Sequence, residues 1–495
     1  MDSLFPWLRV PTDRVALRVG DRVLSQRELA AACAHHVEAL RSRGIAVGDR
    51  VAVWTQPAIE TLVALVAQAA AGYVSVPVDP KLGDGELAHV LADAAPRLCV
   101  AADVASIASR VGARSTLATV VATGPAAPLA IAPVGDAPAL VLYTSGTTGA
   151  PKGALITARN IASNLDMLAR AWGWTGDDVV VHALPMFHVH GLVLGLFGSM
   201  RRGGALRWVP RFVPDELAAA LRDHTAGGRA VMFAVPTMYH RLCDAAEHAP
   251  AIADALRAAR LLVSGSAPLP TREHHRLERL TGHRVIERYG LTETLINCST
   301  RHDGDRRPGF VGPPLDGVEL RLVDDARQLI DARDGTTIGE IAVRGPHVFA
   351  GYLNRDEATR AVLDDDGWFY TGDLATRAAD GQVCIVGRRS TDLIKCGGFK
   401  VGAGEVEAAL LEVAEVSEAA VIGVPDADLG ERIVAFVVVR SPIVPAAIEA
   451  YVASRLSPHK RPREVLVLDA LPRNAMGKVQ KAALRTLWSA ERPDR

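Results

Sequence analysis

LYTSGTTGAPKG, residues 142–153, gathers three glycines, four Ser/Thr hydroxyls and one lysine into a single turn after an apolar strand. Residues 139–143 read as that strand and the remainder as a loop. Gly146, Gly149 and Gly153 let backbone N–H groups approach an anion closely. Thr144, Ser145, Thr147 and Thr148 add donors, and Lys152 adds a cation. The stretch is expected to hold phosphates. It is not a Walker loop, because Pro151 precedes the lysine and Gly153 follows it, where that pattern needs a glycine and a Ser or Thr. Composition alone would also fit a Gly/Ser/Thr-rich surface linker, so the decision rests on what stands elsewhere in the chain.

At 495 residues the chain exceeds what one hydrophobic core usually supports, so two or more domains are expected. A net charge of −1 leaves no electrostatic footprint for nucleic acid or an anionic membrane, which points to small-molecule partners. Six scattered cysteines without C-x-x-C spacing read as reduced thiols, not as zinc ligands or staples. Residues 1–14, MDSLFPWLRVPTDR, lack the basic and apolar regions of a signal peptide, so a cytoplasmic protein is expected. The longest apolar run, residues 61–78, is broken by Gln68, Gly72, Ser75 and Pro77 and reads as a buried helix followed by a strand, not a membrane span.

The same αβ rhythm recurs along the first half. Helices are expected over 27–43, 60–71, 84–94, 214–223 and 238–247, and strands over 50–54, 74–78, 98–101 and 230–234. From Gly317 the texture changes to short alternating strands, 319–323 and 339–344, which suggests a compact β subdomain. Beyond Lys400 mixed α/β texture returns, with helices over 405–413 and 448–456 and strands over 418–424 and 432–439. The fold class is α/β: a large N-terminal domain of αβ layers with a small β subdomain, then a small mobile α+β C-terminal domain.

A second motif, ERYGLTET at 287–294, decides the reading of the first. Together they resemble the adenylate-forming superfamily of acyl-CoA synthetases, peptide-synthetase adenylation domains and luciferases. Further pieces follow in that family's order: LPMFHVHG (184–191), VSGSAPL (263–269), YTGD (370–373), GRRSTDLIKCGGFKV (387–401) and PRNAMGK (472–478). The resemblance implies an adenylation domain over 1–387, a hinge at 388–390 and a mobile domain over 391–495. Relatives usually carry Asp or Lys two places after the first arginine of GRR, whereas this chain has Ser390.

The resemblance also implies roles. Thr144, Ser145, Gly146, Thr147, Thr148 and Lys152 would face the pyrophosphate of ATP, Thr292 the α-phosphate, and Glu293 a magnesium ion, for which one carboxylate beside ATP phosphates suffices. Asp373 would take the ribose hydroxyls with help from Arg388, while Gly265, Ser266 and Ala267, with Glu287 and Tyr289, would border the nucleotide. Lys478 would reach the carboxylate and α-phosphate during adenylation, and is a candidate substrate for a lysine acetyltransferase. Gly397, Gly398, Lys400 and Lys460 would serve coenzyme A, and His188 would line the acyl pocket. His188 and His190, two apart, would share a strand face; no third metal ligand accompanies them, and His190 reads as structural. Glu293 could otherwise cap a helix begun by T-E-T.

Arg288 is the sharpest clue to the acid. A guanidinium where relatives that take apolar acids are neutral implies a second carboxylate on the substrate, since a bidentate Arg–carboxylate pair is strong and directional. Arg241, in VPTMYHRL, could share the task. The competing explanation is a structural ion pair of Arg288 with Glu287 or Glu293. Over longer stretches the chain resembles the malonyl-CoA synthetases of this superfamily, which implies malonate or methylmalonate, ATP, magnesium and coenzyme A. A ligase for another short or aromatic acid, an adenylation enzyme loading a carrier protein in trans, and a non-catalytic nucleotide-binding protein are the rival readings.

Overall fold

The computed structural model describes residues 3–112, 114–123, 127–144, 150–225, 229–426, 428–473 and 479–490. Its first half builds two largely parallel sheets, as the αβ alternation requires. One has six strands in the spatial order Leu117–Thr119, Leu98–Ala101, Arg50–Trp54, Val74–Val78, Pro138–Thr144, Lys152–Thr157, parallel until the last antiparallel pair. The other has eight, in the order Cys298–Ser299, Ile286–Tyr289, Leu261–Ser264, Ala230–Ala234, Val179–His182, Ala205–Trp208, Val15–Val19, Arg22–Ser25, antiparallel only at its two edges. Central strands such as Val74–Val78 and Ala230–Ala234 are buried on both faces, which is why the second is apolar throughout and the first carries valine at every other position with only the small Ser75 and Pro77 between.

The apolar run at 61–78 resolves into the almost wholly buried helix Ile59–Ala71, ended by Gly72 at φ +82, and the strand Val74–Val78. Among the described residues no helix is long and apolar enough to cross a membrane. The first long helix, Gln26–Arg41, starts where Ser25 and Glu28 form a reciprocal capping box. The chain then forms a five-stranded antiparallel sheet from Glu319–Val323, Leu329–Ile330, Gly339–Arg344, Phe369–Arg377 and Val383–Arg388.

A fourth sheet, Leu393–Cys396, Phe399–Gly402, Val416–Asp426, Gly430–Val439 and Glu464–Val467, carries its own apolar clusters with the helices Ala403–Leu411, Pro445–Arg455 and Lys481–Ala490. The connection between third and fourth sheets spans residues 389–392. Asp392 clasps it: one carboxylate oxygen accepts from the Arg388 backbone N–H at 2.9 Å and the other from Lys481 Nζ at 2.6 Å. Lys481 also meets Glu407 at 2.7 Å. All six cysteines are free.

Candidate active site

In an open α/β sheet, loops at the carboxyl ends of parallel strands are where ligands bind. Four motifs share that edge of the eight-stranded sheet. Val179–His182, Ala230–Ala234, Leu261–Ser264 and Ile286–Tyr289 run parallel, with His182 opposite Phe233, Ala234 opposite Ser264 and Ser264 opposite Glu287. Their outgoing loops carry FHVH, the helix bearing Arg241, GSA and GLTE. The glycine-rich loop leaves the carboxyl end of Pro138–Thr144 in the other sheet.

Residues 349–353 stitch the two sheets together. Phe349 N–H donates to Glu293 C=O at 2.8 Å, while Ala350 N–H donates to Leu155 C=O and Leu353 N–H to Gly153 C=O. This sets Tyr352 between Lys152 and Glu293. Lys152 Nζ lies 5.1 Å from the Tyr352 ring centroid, and Tyr352 Oη donates to Glu293 Oε1 at 2.7 Å. Tyr352 joins the two groups yet had no signal in the sequence beyond an ordinary GYLN turn. Glu293 is buried in a turn and does not open a helix, which removes the capping alternative. Thr144 ends its strand with its hydroxyl 3.5 Å from Lys152 C=O, and Thr292 is half-buried in the GLTE turn. Ser145, Gly146, Thr147, Thr148 and Lys478 lie outside the described residues, as does the side chain of Lys400.

Asp373 and Arg388 face each other across an antiparallel register. Arg388 Nε is 2.9 Å from Asp373 Oδ1, and Tyr289 Oη donates to Asp373 Oδ2 at 2.6 Å. Burial raises the Asp373 carboxyl above its ordinary range, opposed by Arg388 and Tyr289. These three expected nucleotide residues are brought together. Glu287 is not among them: its carboxylate accepts from His274 Nε2 at 2.7 Å and from Leu269 N–H at 3.3 Å, so it braces the sheet interior. Ser266 and Ala267 are exposed, with Ser266 at φ +72.

Arg288 is only 8% exposed, and its Nε is buried without a hydrogen-bond partner. Neither carboxylate suspected of pairing with it does so, since Glu287 faces His274 and Glu293 faces Tyr352. Among the described residues the other two buried arginines are both paired: Arg201 with Asp166 at 2.6 Å, and Arg276 with Asp244 at 2.7 Å and Glu247 at 2.8 Å. Burial lowers the Arg288 guanidinium from its ordinary range to about 10, so it remains a cation at neutral pH.

His188 and His190 do not share a strand face. His188 sits in a turn against Phe187, ring centroids 4.4 Å apart, and His190 opens a π-helical segment, His190–Phe197. Small residues permit this: a Cβ on Gly191 would stand 2.3 Å from Pro185 C=O, and one on Gly195 2.2 Å from His182 Nε2. His190 is buried with neither ring nitrogen partnered, and burial, then the charge of Arg288, holds it well below its ordinary pKa. No cluster of three or more metal-ligating side chains exists among the described residues.

Arg241 stands exposed on the helix Pro236–His248, unlike Arg288. In the C-terminal sheet Gly397 and Gly398 form a left-handed turn at φ +59 and +81. Lys460 is not a freely solvated charge: its Nζ meets Glu405 at 2.6 Å.

Known proteins place these geometries in one family. Residues 6–353 match the AMP-binding enzyme model and residues 405–478 match the AMP-binding enzyme C-terminal domain. A malonate–CoA ligase of Arabidopsis thaliana is 34% identical over 478 residues, covering 88% of this chain and 78% of the relative. A malonyl-CoA ligase solved as a ternary product complex with methylmalonyl-CoA and AMP is 53% identical, covers 94% of this chain and 98% of its own, and superposes with a TM-score of 0.72. ATP-bound MatB from Rhodopseudomonas palustris is 36% identical, covers 98% of each chain, and superposes with a TM-score of 0.86. The chain belongs to the AMP-binding enzyme family, of which it carries both the large domain and the C-terminal domain.

Proposed function

We propose that the protein is an AMP-forming acid–thiol ligase that joins malonate, and also methylmalonate, to coenzyme A through an acyl-adenylate. The observation that carries the acid is Arg288, a buried guanidinium that no carboxylate among the described residues neutralises. Malonate leaves one carboxylate to react and supplies the other to this cation, forming the charge-assisted pair the protein itself lacks. The relatives named malonate–CoA ligase and malonyl-CoA ligase support the same acid.

In the first half-reaction the free carboxylate attacks the α-phosphorus of ATP, forming an acyl–phosphate bond as the bond to pyrophosphate breaks. The chain's part is positioning and charge neutralisation. Lys152, and in the sequence Ser145, Gly146, Thr147 and Thr148, are assigned to the departing pyrophosphate, and Lys478 to the charge growing at the α-phosphate. Asp373 retains lone pairs for ribose hydroxyls while Arg388 and Tyr289 fix its orientation. Magnesium fits the site, because Glu293 offers a hard oxygen oriented by Tyr352 and the ion needs few protein ligands beside phosphates. Bound there it would offset phosphate charge. In the second half-reaction the coenzyme A thiol attacks the acyl carbon and AMP leaves.

The 53% identical product complex superposes less well than the 36% identical ATP complex, which supports a rotation of the C-terminal domain between half-reactions about residues 388–390. Gly397, Gly398, Lys400 and Lys460 would then border the thiol's path. Acetylation of Lys478 by a lysine acetyltransferase would remove its charge and stop the first step. A cytoplasmic setting is supported by six free thiols.

Thioester formation with coenzyme A across mono- and dicarboxylic acids tests the reading. Malonate should lead and methylmalonate follow, with acetate, butyrate and benzoate far behind. Preferred use of butyrate or benzoate overturns the acid, and preference for a carrier protein over coenzyme A overturns the acceptor.

A further inference from the structure

We propose that Gly265 is a specificity-determining residue, whose missing side chain is the space in which the Arg288 guanidinium lies and so sets where the far carboxylate of the acid is held. The inference rests on the role given to Arg288 above. Leu261–Ser264 and Ile286–Tyr289 run parallel with Ser264 opposite Glu287, which brings the next residue, Gly265, beside Arg288. A Cβ at position 265 would stand 2.2 Å from Arg288 Cζ, 2.4 Å from Nε and 2.7 Å from Nη1. No non-bonded carbon tolerates those distances, so the guanidinium rests directly against the Gly265 backbone.

Space alone requires glycine here. Gly265 does not have a left-handed φ, so a positive backbone angle is not what calls for glycine. The backbone has little room to retreat, because the preceding residue, Ser264, is paired to strands on both sides and Ser266 turns the chain at once at φ +72. The arginine is what must move. Its Nε has no hydrogen bond to hold it in place, so a side chain at 265 pushes the cation by about an ångström or more from the spot where it meets the acid.

The motif containing Gly265 was expected to border the nucleotide, and the two roles separate kinetically. ATP–pyrophosphate exchange is measured for the full-length wild type, Gly265→Ala, Arg288→Ala and the double variant, with melting curves recorded for each. Gly265→Ala should lower kcat/KM for malonate by about 100-fold, the usual penalty for a misplacement of about 1 Å, with KM for ATP within about threefold of wild type. In the Arg288→Ala background the same substitution should change malonate use by less than about twofold, because nothing remains for it to displace.

A rise in KM for ATP with malonate use intact, or a further loss of about 100-fold in the Arg288→Ala background, overturns the proposal. So does a crystal structure of Gly265→Ala with the guanidinium unmoved. Malonate use lost in Arg288→Ala but unimpaired in Gly265→Ala removes this inference and leaves the role of Arg288 standing. Wild-type malonate use by Arg288→Ala removes both.

Discussion

Replacing Arg288 with methionine should make the protein more stable and almost unable to use malonate. Methionine keeps an unbranched stem of similar length and removes the charge. Burial lowers the guanidinium from its ordinary range to about 10, which corresponds to a penalty of about 3 kcal/mol for holding the cation in its site. Because the lowered value still lies above neutrality, that penalty is present in full at pH 7. It fades only as pH rises above about 10, where the folded protein releases the proton before the unfolded chain does. Replacing even a paired set of buried charges by apolar residues of similar volume is often neutral or stabilising by about 1 to 4 kcal/mol.

Differential scanning calorimetry of ligand-free protein at pH 7 should therefore show Arg288→Met melting a few degrees above wild type. The same variant should lose about 3 to 5 kcal/mol of malonate recognition, the usual effect of removing one partner of a buried charge pair. That is a fall in kcat/KM of roughly 150- to 5,000-fold. A lower melting temperature would mean that Arg288 holds the fold together, and the reasoning from its missing partner would be wrong. Unchanged malonate use in a stabilised variant would mean the cation serves something else.

Three other outcomes are expected. Gly290→Ala would set a Cβ 1.7 Å from the Leu295 carbonyl oxygen, a backbone atom that cannot step aside, so the GLTE turn should shift and ATP–pyrophosphate exchange should fall by about 100-fold or more. Lys478→Ala should abolish exchange while ATP affinity, read by calorimetric titration, changes less than about threefold; normal exchange would remove the assigned role. Burial lowers His36 to about 4, His182 to about 3 and His347 to about 4. Below pH 6.5 the unfolded chain takes up protons that the folded protein refuses, so stability should fall as pH drops from 6.5 toward 4, by about 2 kcal/mol per histidine at pH 5. Urea midpoints between pH 7 and 5 check the slope.

What the sequence disclosed follows the range of the forces involved. Valine-rich strands such as Arg50–Trp54 and Val74–Val78 have the bounds their pattern gives, because burial on both faces acts along nearly the whole run. The helix at Gln26–Arg41 begins one residue earlier than its periodicity suggests, because the cap, not the apolar stripe, sets its start. FHVH misled for a related reason. Its alternation resembles a strand, but the segment's shape is set by Gly191 and Gly195 packing against Pro185 and His182, contacts that periodicity does not encode. Tyr352 escaped notice because its role comes from hydrogen bonds that tie residues 349–353 to two distant segments.

The same limit explains why Arg288 could be singled out in the sequence while its case was decided only in three dimensions. Alternation along Ile286–Tyr289 already turns Glu287 and Arg288 to opposite faces, but it does not say what each one meets. On one face Glu287 finds His274 and the Leu269 N–H, so its charge is accounted for inside the fold. On the other, Arg288 meets the bare backbone of Gly265 and, among the described residues, no carboxylate. A monocarboxylate entering such a pocket would leave the cation as it was, whereas a diacid relieves it on arrival. Discrimination then comes less from the contacts malonate makes than from the unfavourable state its absence leaves in place, and a site of this kind can reject acids that fit it sterically.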